Sequence, residues 1–217
     1  MIPIDWTFAW TIMPRLLAAS MITLQATVAS FAVAAIVGLL MAICRRSRSR
    51  VVQWPLVGVM EFIRSTPLLV QLYCLYFLLP LAGITFSPFM TGVIGLGLHY
   101  SCYMAEVYRA GLESVPKGQW EAALALNYGR IEMFRRVILP QAIPPVIPAL
   151  GNYLIAMFKD TPMLAAITVV ELMQTANLIA SEKFLYVEPM SIAGLLFLAI
   201  SLIAAYFLRR LEWRLAQ

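Results

Sequence analysis

Residues 119–148 read QWEAALALNYGRIEMFRRVILPQAIPPVIP, a polar and charged island in a chain that is otherwise mostly apolar. Glu121 to Leu126 is a run of good helix formers. The run breaks at Asn127-Tyr128-Gly129, where Gly129 is expected to take the left-handed conformation that ends a helix. A second helical run, Ile131 to Leu139, is expected to stop at Pro140. Arg130, Arg135 and Arg136 give the island its charge. A helix–turn–helix between membrane-like runs presents a small, rigid, charged knob to something soluble.

The rest of the chain sets the context. Of 217 residues, 62% are hydrophobic and 12% charged, against about 45–50% and about 25% in a soluble domain. The mean hydropathy is +0.83. These values predict an all-α, multi-pass membrane protein with no sizeable soluble domain. The net charge of +5 does not point to nucleic acid, because the basic residues sit in short runs beside apolar segments. Cys44, Cys74 and Cys102 lack metal or disulfide spacing and read as small apolar residues.

About five transmembrane helices are expected, over 16–44, 66–80, 88–107, 144–170 and 189–208. Residues 1–15 read as an external N-terminal segment without a cleavable signal peptide, 16–208 as one membrane domain, and 209–217 as a cytoplasmic tail. Leu16 to Cys44 carries no charge and is followed at once by Arg45, Arg46, Arg48 and Arg50. The positive-inside rule then puts the N-terminus outside and this loop in the cytoplasm, together with the island and Arg209, Arg210 and Arg214. Val51 to Thr66 reads as an interfacial elbow, with Pro67 in the first turn of the next span. Gly92, Gly95 and Gly97 in the third span allow close helix approach. Lys159 to Pro162 should interrupt the fourth span, with a short dipping helix after it and a polar external stretch over Gln174 to Glu188.

Several chemistries are missing. No GxxxxGK[ST] phosphate loop, HExxH or CxxC occurs, so no catalytic residue and no metal site is assigned, and the chain should not bind ATP by itself. Its one histidine, His99, reads as a hydrogen-bonded packing residue or as part of a pathway lining.

Three segments together resemble one family. GQWEAALALNYG at 118–129, followed by RRVILP at 135–140, resembles the EAA motif of the membrane subunits of ATP-binding-cassette importers; Glu121, Ala122, Ala123, Gly129, Leu139 and Pro140 match it. EFIRSTPLLVQL at 61–72 and YMAEVYRAGLESVPKG at 103–118 resemble segments of its polar amino acid (His/Gln/Arg-type) branch. The resemblance spans roughly residues 20–208 and implies a type I ABC importer permease fold. One departure stands out: the family has Lys-x-Thr-Ser-Leu where this chain has Lys159-Asp160-Thr161-Pro162-Met163-Leu164.

That resemblance implies roles. The loop 116–143 would dock on a cytoplasmic ABC ATPase dimer, with Ala122 and Ala123 small enough to seat in its cleft and Glu121 accepting charge-assisted hydrogen bonds. Arg135 and Arg136 would anchor the second helix to lipid headgroups. ATP and Mg would be bound by the partner, with no cofactor on this chain. A second permease subunit (a copy or a sister chain) and an extracellular solute-binding protein complete the expected assembly in a bacterial inner membrane. Arg64, Gln71, Tyr103, Glu106, Asn152, Lys159, Asp160 and Thr161 are candidates for the substrate pathway, because ionisable and polar groups in membrane runs are costly. For Arg64 and Glu106 a structural ion pair is the competing reading, and for Lys159 and Asp160 a position at the outer interface. The solute would be a small polar amino acid or zwitterionic compatible solute, with ectoine or hydroxyectoine suggested by the KDTPML segment. The alternative from another class is a gradient-driven secondary transporter or channel.

Overall fold

The structure is a computed structural model and describes residues 5–47 and 49–215. Residues 1–4, Arg48 and 216–217 of the segments named above lie outside the described residues. Nine α-helices are described: α1 (Trp6–Arg45), α2 (Arg50–Ser65), α3 (Leu68–Tyr73), α4 (Pro88–Glu113), α5 (Lys117–Ala125), α6 (Arg130–Met133), α7 (Leu139–Asp160), α8 (Leu172–Lys183) and α9 (Val187–Leu215). Among the described residues, three helical stretches are long and apolar enough to cross a membrane: α1, the run from Arg130 to Ile167, and α9. A fourth is added if α2 and the Leu68–Ala82 segment, bent by 108°, count as one span.

α1 starts ten residues before the expected span, at Trp6, because Asp5 caps it by accepting from the Phe8 N–H at 3.0 Å. Its 40 residues amount to about 60 Å, twice a hydrocarbon core of about 30 Å. Its buried residues recur every three or four positions and are mostly small, among them Ala19, Thr23, Ala26, Ser30, Ala34 and Gly38. This seam lies along α4, its most extensive partner. A Cβ on Gly38 would stand 2.8 Å from the Ser101 carbonyl oxygen, and one on Gly97 would stand 2.6 Å from Val33 Cγ1. The expected close approach at the glycine-rich span is made to α1 at Gly97, whereas Gly92 and Gly95 face Leu164 and Leu72.

Three local expectations change. The 51–66 elbow is an amphipathic helix, α2, bent by 108° against the segment that follows, but Pro67 sits before α3 as its N-cap and not in its first turn. In the island, Asn127 adopts the left-handed conformation (φ 58°), while Gly129 is extended (φ −63°, ψ 156°) and caps α6. Asparagine tolerates that region because its short polar side chain carries little steric penalty there. Pro140 does not end the second run. The helix continues through Pro144, Pro145 and Pro148 to Asp160, and a π turn at Phe134–Ile138 lies just before Pro140. That wider turn sits where the proline ring would meet a preceding carbonyl.

The break at Lys159–Pro162 is present. α7 ends at Asp160 and tightens into a 3₁₀ segment, Thr161–Ile167, closed by Thr168 in the left-handed region (φ 66°). The stretch from Gln174 onward, expected to be polar and external, is largely α8, with a buried apolar face. Ala176, Ile179 and Ala180 on α8 bury against α1 and α9. Its start is held by Glu171, which is fully buried and accepts from the Gln174 N–H at 2.7 Å. Thr23 Oγ1 accepts from the Leu172 N–H at 3.1 Å and lies 3.4 Å from the Glu171 carboxyl. Orphan donors of the first helical turn thus satisfy a buried acid.

A polar layer and a coupling hairpin as candidate functional sites

The first candidate site is a polar layer within the helix bundle. α4 directs His99, Tyr100 and Tyr103 toward α3 and α7. His99 Nδ1 lies 3.1 Å from Gln71 Oε1, and the Gln71 amide donates to the Ile63 carbonyl at 2.7 Å. Tyr100 Oη donates to Asp160 Oδ2 at 2.6 Å. Tyr103 and Tyr153 rings lie 5.9 Å apart, and Tyr100 and Tyr153 also 5.9 Å. Of the residues proposed from sequence, Gln71, Tyr103 and Asp160 therefore meet in one layer. His99, Tyr100 and Tyr153 complete it. His99 was legible as an isolated polar residue in an apolar run; Tyr153 carried no comparable signal, since a lone tyrosine in a membrane helix is ordinary packing.

Arg64 and Glu106 lie beside this layer in an ion cluster. Arg64 Nη1 is 3.7 Å from Glu106 Oε1, so the expected pairing is present. Arg45 and Arg109 also engage Glu106, the latter through Nε at 2.8 Å. Glu61 pairs with Arg64 and Glu113 with Arg109. The cluster joins the end of α1, α2 and α4, and its formal charges cancel. One donor is left over: Arg64 Nε is buried without a hydrogen-bond partner. Such a group costs free energy unless something fills its bond.

The remaining proposed residues are placed differently. Asn152 and Lys159 are exposed. Thr161 is fully buried, with its hydroxyl turned back to the Phe158 carbonyl at 2.7 Å, so it faces packing and not a cavity.

The second candidate site is the hairpin of α5 and α6. Ala123 is 2% exposed and packs with Val115, Met133, Ile138 and Ala142. Its small size serves the hairpin's own closure, whereas Glu121 and Ala122 face outward. Trp120 meets Phe134 edge-on at 5.3 Å, and Arg46 lies over the Trp120 ring at 5.9 Å, which ties the hairpin to the end of α1. Arg136 pairs with Glu132 at 3.3 Å. Around the turn, Leu124 is 59%, Leu126 70% and Ile131 84% exposed. A Cβ on Gly129 would meet nothing within 4 Å, and the backbone there is one any residue adopts. Among the described residues nothing calls for a glycine at that position.

The chain is similar to known proteins over nearly its whole length. Residues 34–217 match the family described as binding-protein-dependent transport system inner membrane component. A probable amino-acid ABC transporter permease of Sinorhizobium fredii is 45% identical over 205 residues, covering 94% of this chain and 89% of the relative. The octopine transport system permease of Rhizobium radiobacter is 36% identical over 222 residues, covering 98% and 91%. A crystal structure of an amino acid ABC transporter with histidines superposes with a TM-score of 0.92 at 32% identity, covering 98% of this chain and 100% of that one.

Proposed function

Because the chain belongs to the binding-protein-dependent transport system inner membrane components and is the permease subunit of a type I ABC importer, we propose that it carries a small amino acid or related zwitterion inward, driven through the α5–α6 hairpin by a separate ATPase. The observation that carries this reading is the outer rim of the hairpin. Exposed Leu124, Leu126 and Ile131 surround a glycine that the fold itself does not need. An apolar rim and an open backbone at Gly129 suit a partner surface that approaches closely, and Glu121 offers that surface a carboxylate. Leu139 and Pro140, both exposed, lie where the hairpin joins the bundle.

The bundle crosses the inner membrane five times in this reading, through α1, the bent α2–α3 pair, α4, α7 and α9. The N-terminus lies outside, and the hairpin and the basic end of α9 face the cytoplasm. ATP and Mg belong to the ATPase pair. Closure of that pair draws together two permease subunits, and an external binding protein delivers the solute. The polar layer receives it: Arg64, with a spare N–H, suits a carboxylate. Asp160, whose side-chain partner among the described residues is the neutral Tyr100 hydroxyl, suits an ammonium or amidinium group. The tyrosine rings suit a cation between them. The relatives do not favour the gradient-driven alternative.

The test is uptake by proteoliposomes containing this chain, its ATPase and its binding protein, with a titration of that binding protein against amino acids, opines, ectoine and hydroxyectoine. ATP-dependent accumulation of a solute the binding protein retains is the expected result. Uptake that follows an ion gradient without ATP overturns the proposal.

A further inference from the structure

We propose that Tyr76 and Thr168 form a latch that holds the bundle shut on the side of the polar layer away from the coupling hairpin; the proposal rests on the import reading above. Tyr76 Oη and Thr168 Oγ1 lie 3.1 Å apart, joining residues 92 positions apart in sequence. Each sits on irregular backbone. Tyr76 lies in the π turn Cys74–Leu78, and Thr168 closes the 3₁₀ segment Thr161–Ile167. A 3₁₀ stretch within a helix often marks a hinge, and π turns concentrate at functional positions.

Thr168 adds a second, independent observation. It holds φ 66°, a region that β-branched residues rarely adopt. A glycine would make the same turn without strain but would carry no hydroxyl. The strained residue is accounted for if the hydroxyl is what the position requires. The turn is also pinned by backbone bonds from Thr168 N to the Ala165 carbonyl at 3.0 Å and from Val169 N to the Leu164 carbonyl at 3.2 Å.

The register gives the latch its place. Tyr76 follows Gln71 by five residues and Thr168 follows Asp160 by eight, so the bond lies beyond both arms of the polar layer on the way to the loop before Pro88. Leu72, Leu164 and Ile167 are fully buried and belong with Val169 to one apolar core cluster, which includes Tyr100 of the layer and against which Tyr76 packs. Breaking one bond between two pliable segments would free the 3₁₀ arm from the π turn and open this apolar plug.

The experiment uses the complex with its ATPase in proteoliposomes. Leu164→Cys is introduced with Cys44 and Cys74 replaced by serine, and a membrane-impermeant thiol reagent is added from the outer side. Tyr76→Phe, which keeps the ring, and Thr168→Gly, which keeps the turn, should each raise the modification rate of the resting complex about fivefold, roughly the equilibrium shift of one hydrogen bond. Thr168→Ser keeps the hydroxyl and should stay at the parent rate. Parent-like rates for both Tyr76→Phe and Thr168→Gly overturn the latch. This comparison needs no transport, so it stands apart from the uptake assay, whose failure would overturn the import reading alone.

Discussion

Tyr100 donates a 2.6 Å hydrogen bond to Asp160 Oδ2 across the contact between α4 and α7. Asp160 is the last residue of α7, and among the described residues no lysine or arginine pairs with it. A neutral donor thus holds an acid at the point where a membrane helix breaks. The carboxylate keeps lone pairs free for a cation, and its position is set by a buried ring.

Replacing Tyr100 by Phe should therefore destabilise the bundle by about 1–3 kcal/mol, the cost of an acceptor left without its donor. The thermal unfolding midpoint of the purified protein in detergent measures this. Adding Asp160→Asn should recover part of the loss, because an amide is less costly to leave unpaired than a carboxylate. An unchanged midpoint for Tyr100→Phe would show that water replaces the phenol at no cost.

A methyl group added at Gly129 would find no neighbour within 4 Å, and the backbone angles there are ordinary. Gly129→Ala should leave unfolding and membrane insertion unchanged. Gly129→Asp should also insert normally but fail to retain the ATPase on co-purification and lose ATP-driven uptake. Normal transport by the Asp variant would remove the glycine from the docking surface.

Asn127 makes the left-handed turn between α5 and α6. Asn127→Ala should loosen the hairpin by about 1–2 kcal/mol, the usual penalty for an ordinary side chain in that region. Asn127→Gly should be tolerated. Hydrogen–deuterium exchange over residues 123–131 is the readout, with faster exchange expected for Ala and not for Gly.

Arg15 and Glu182 form a two-bond clasp at 3.0 and 3.2 Å between α1 and α8. Hydrogen bonding to Arg15 holds the Glu182 carboxyl below its ordinary value of 4.5. A depressed acid contributes stability that is present above its unfolded value and lost as pH falls through the lower folded one. The clasp should thus hold at neutral pH and open only once pH falls below the ordinary carboxylate range, with faster exchange in α8. Glu182→Gln should abolish that pH step; a step that persists in the variant would assign it to another acid.

Much of the architecture is legible in the order of residues alone. Uncharged runs at 16–44 and 189–208 mark helices because hydrocarbon excludes unpaired polar groups. The polar island at 119–148 and the break at Lys159–Pro162 stand out against that background, since charge is costly there. The pairing of Arg64 with Glu106 was also accessible, because two opposite charges near membrane runs need partners.

Other features were not accessible, and each for an identifiable reason. The left-handed residue is Asn127 and not Gly129; both types reach that region, so residue type alone does not say which one turns. Pro140 lies inside a helix because a π turn precedes it, and hydropathy does not report turn width. α8 reads as polar until its Ala176 and Ile179 face meets α1.

By itself the amino-acid order determined the class, an all-α membrane protein, and marked 119–148 as a polar island in it, since both follow from the one-dimensional cost of charge in hydrocarbon. Only the tertiary structure decided which polar groups meet: His99 with Gln71, Tyr100 with Asp160, Tyr76 with Thr168. Those pairs depend on how closely neighbouring segments approach α4, which Gly92 against Leu164 and Gly95 against Leu72 permit, and on two irregular turns that depart from α-helical register.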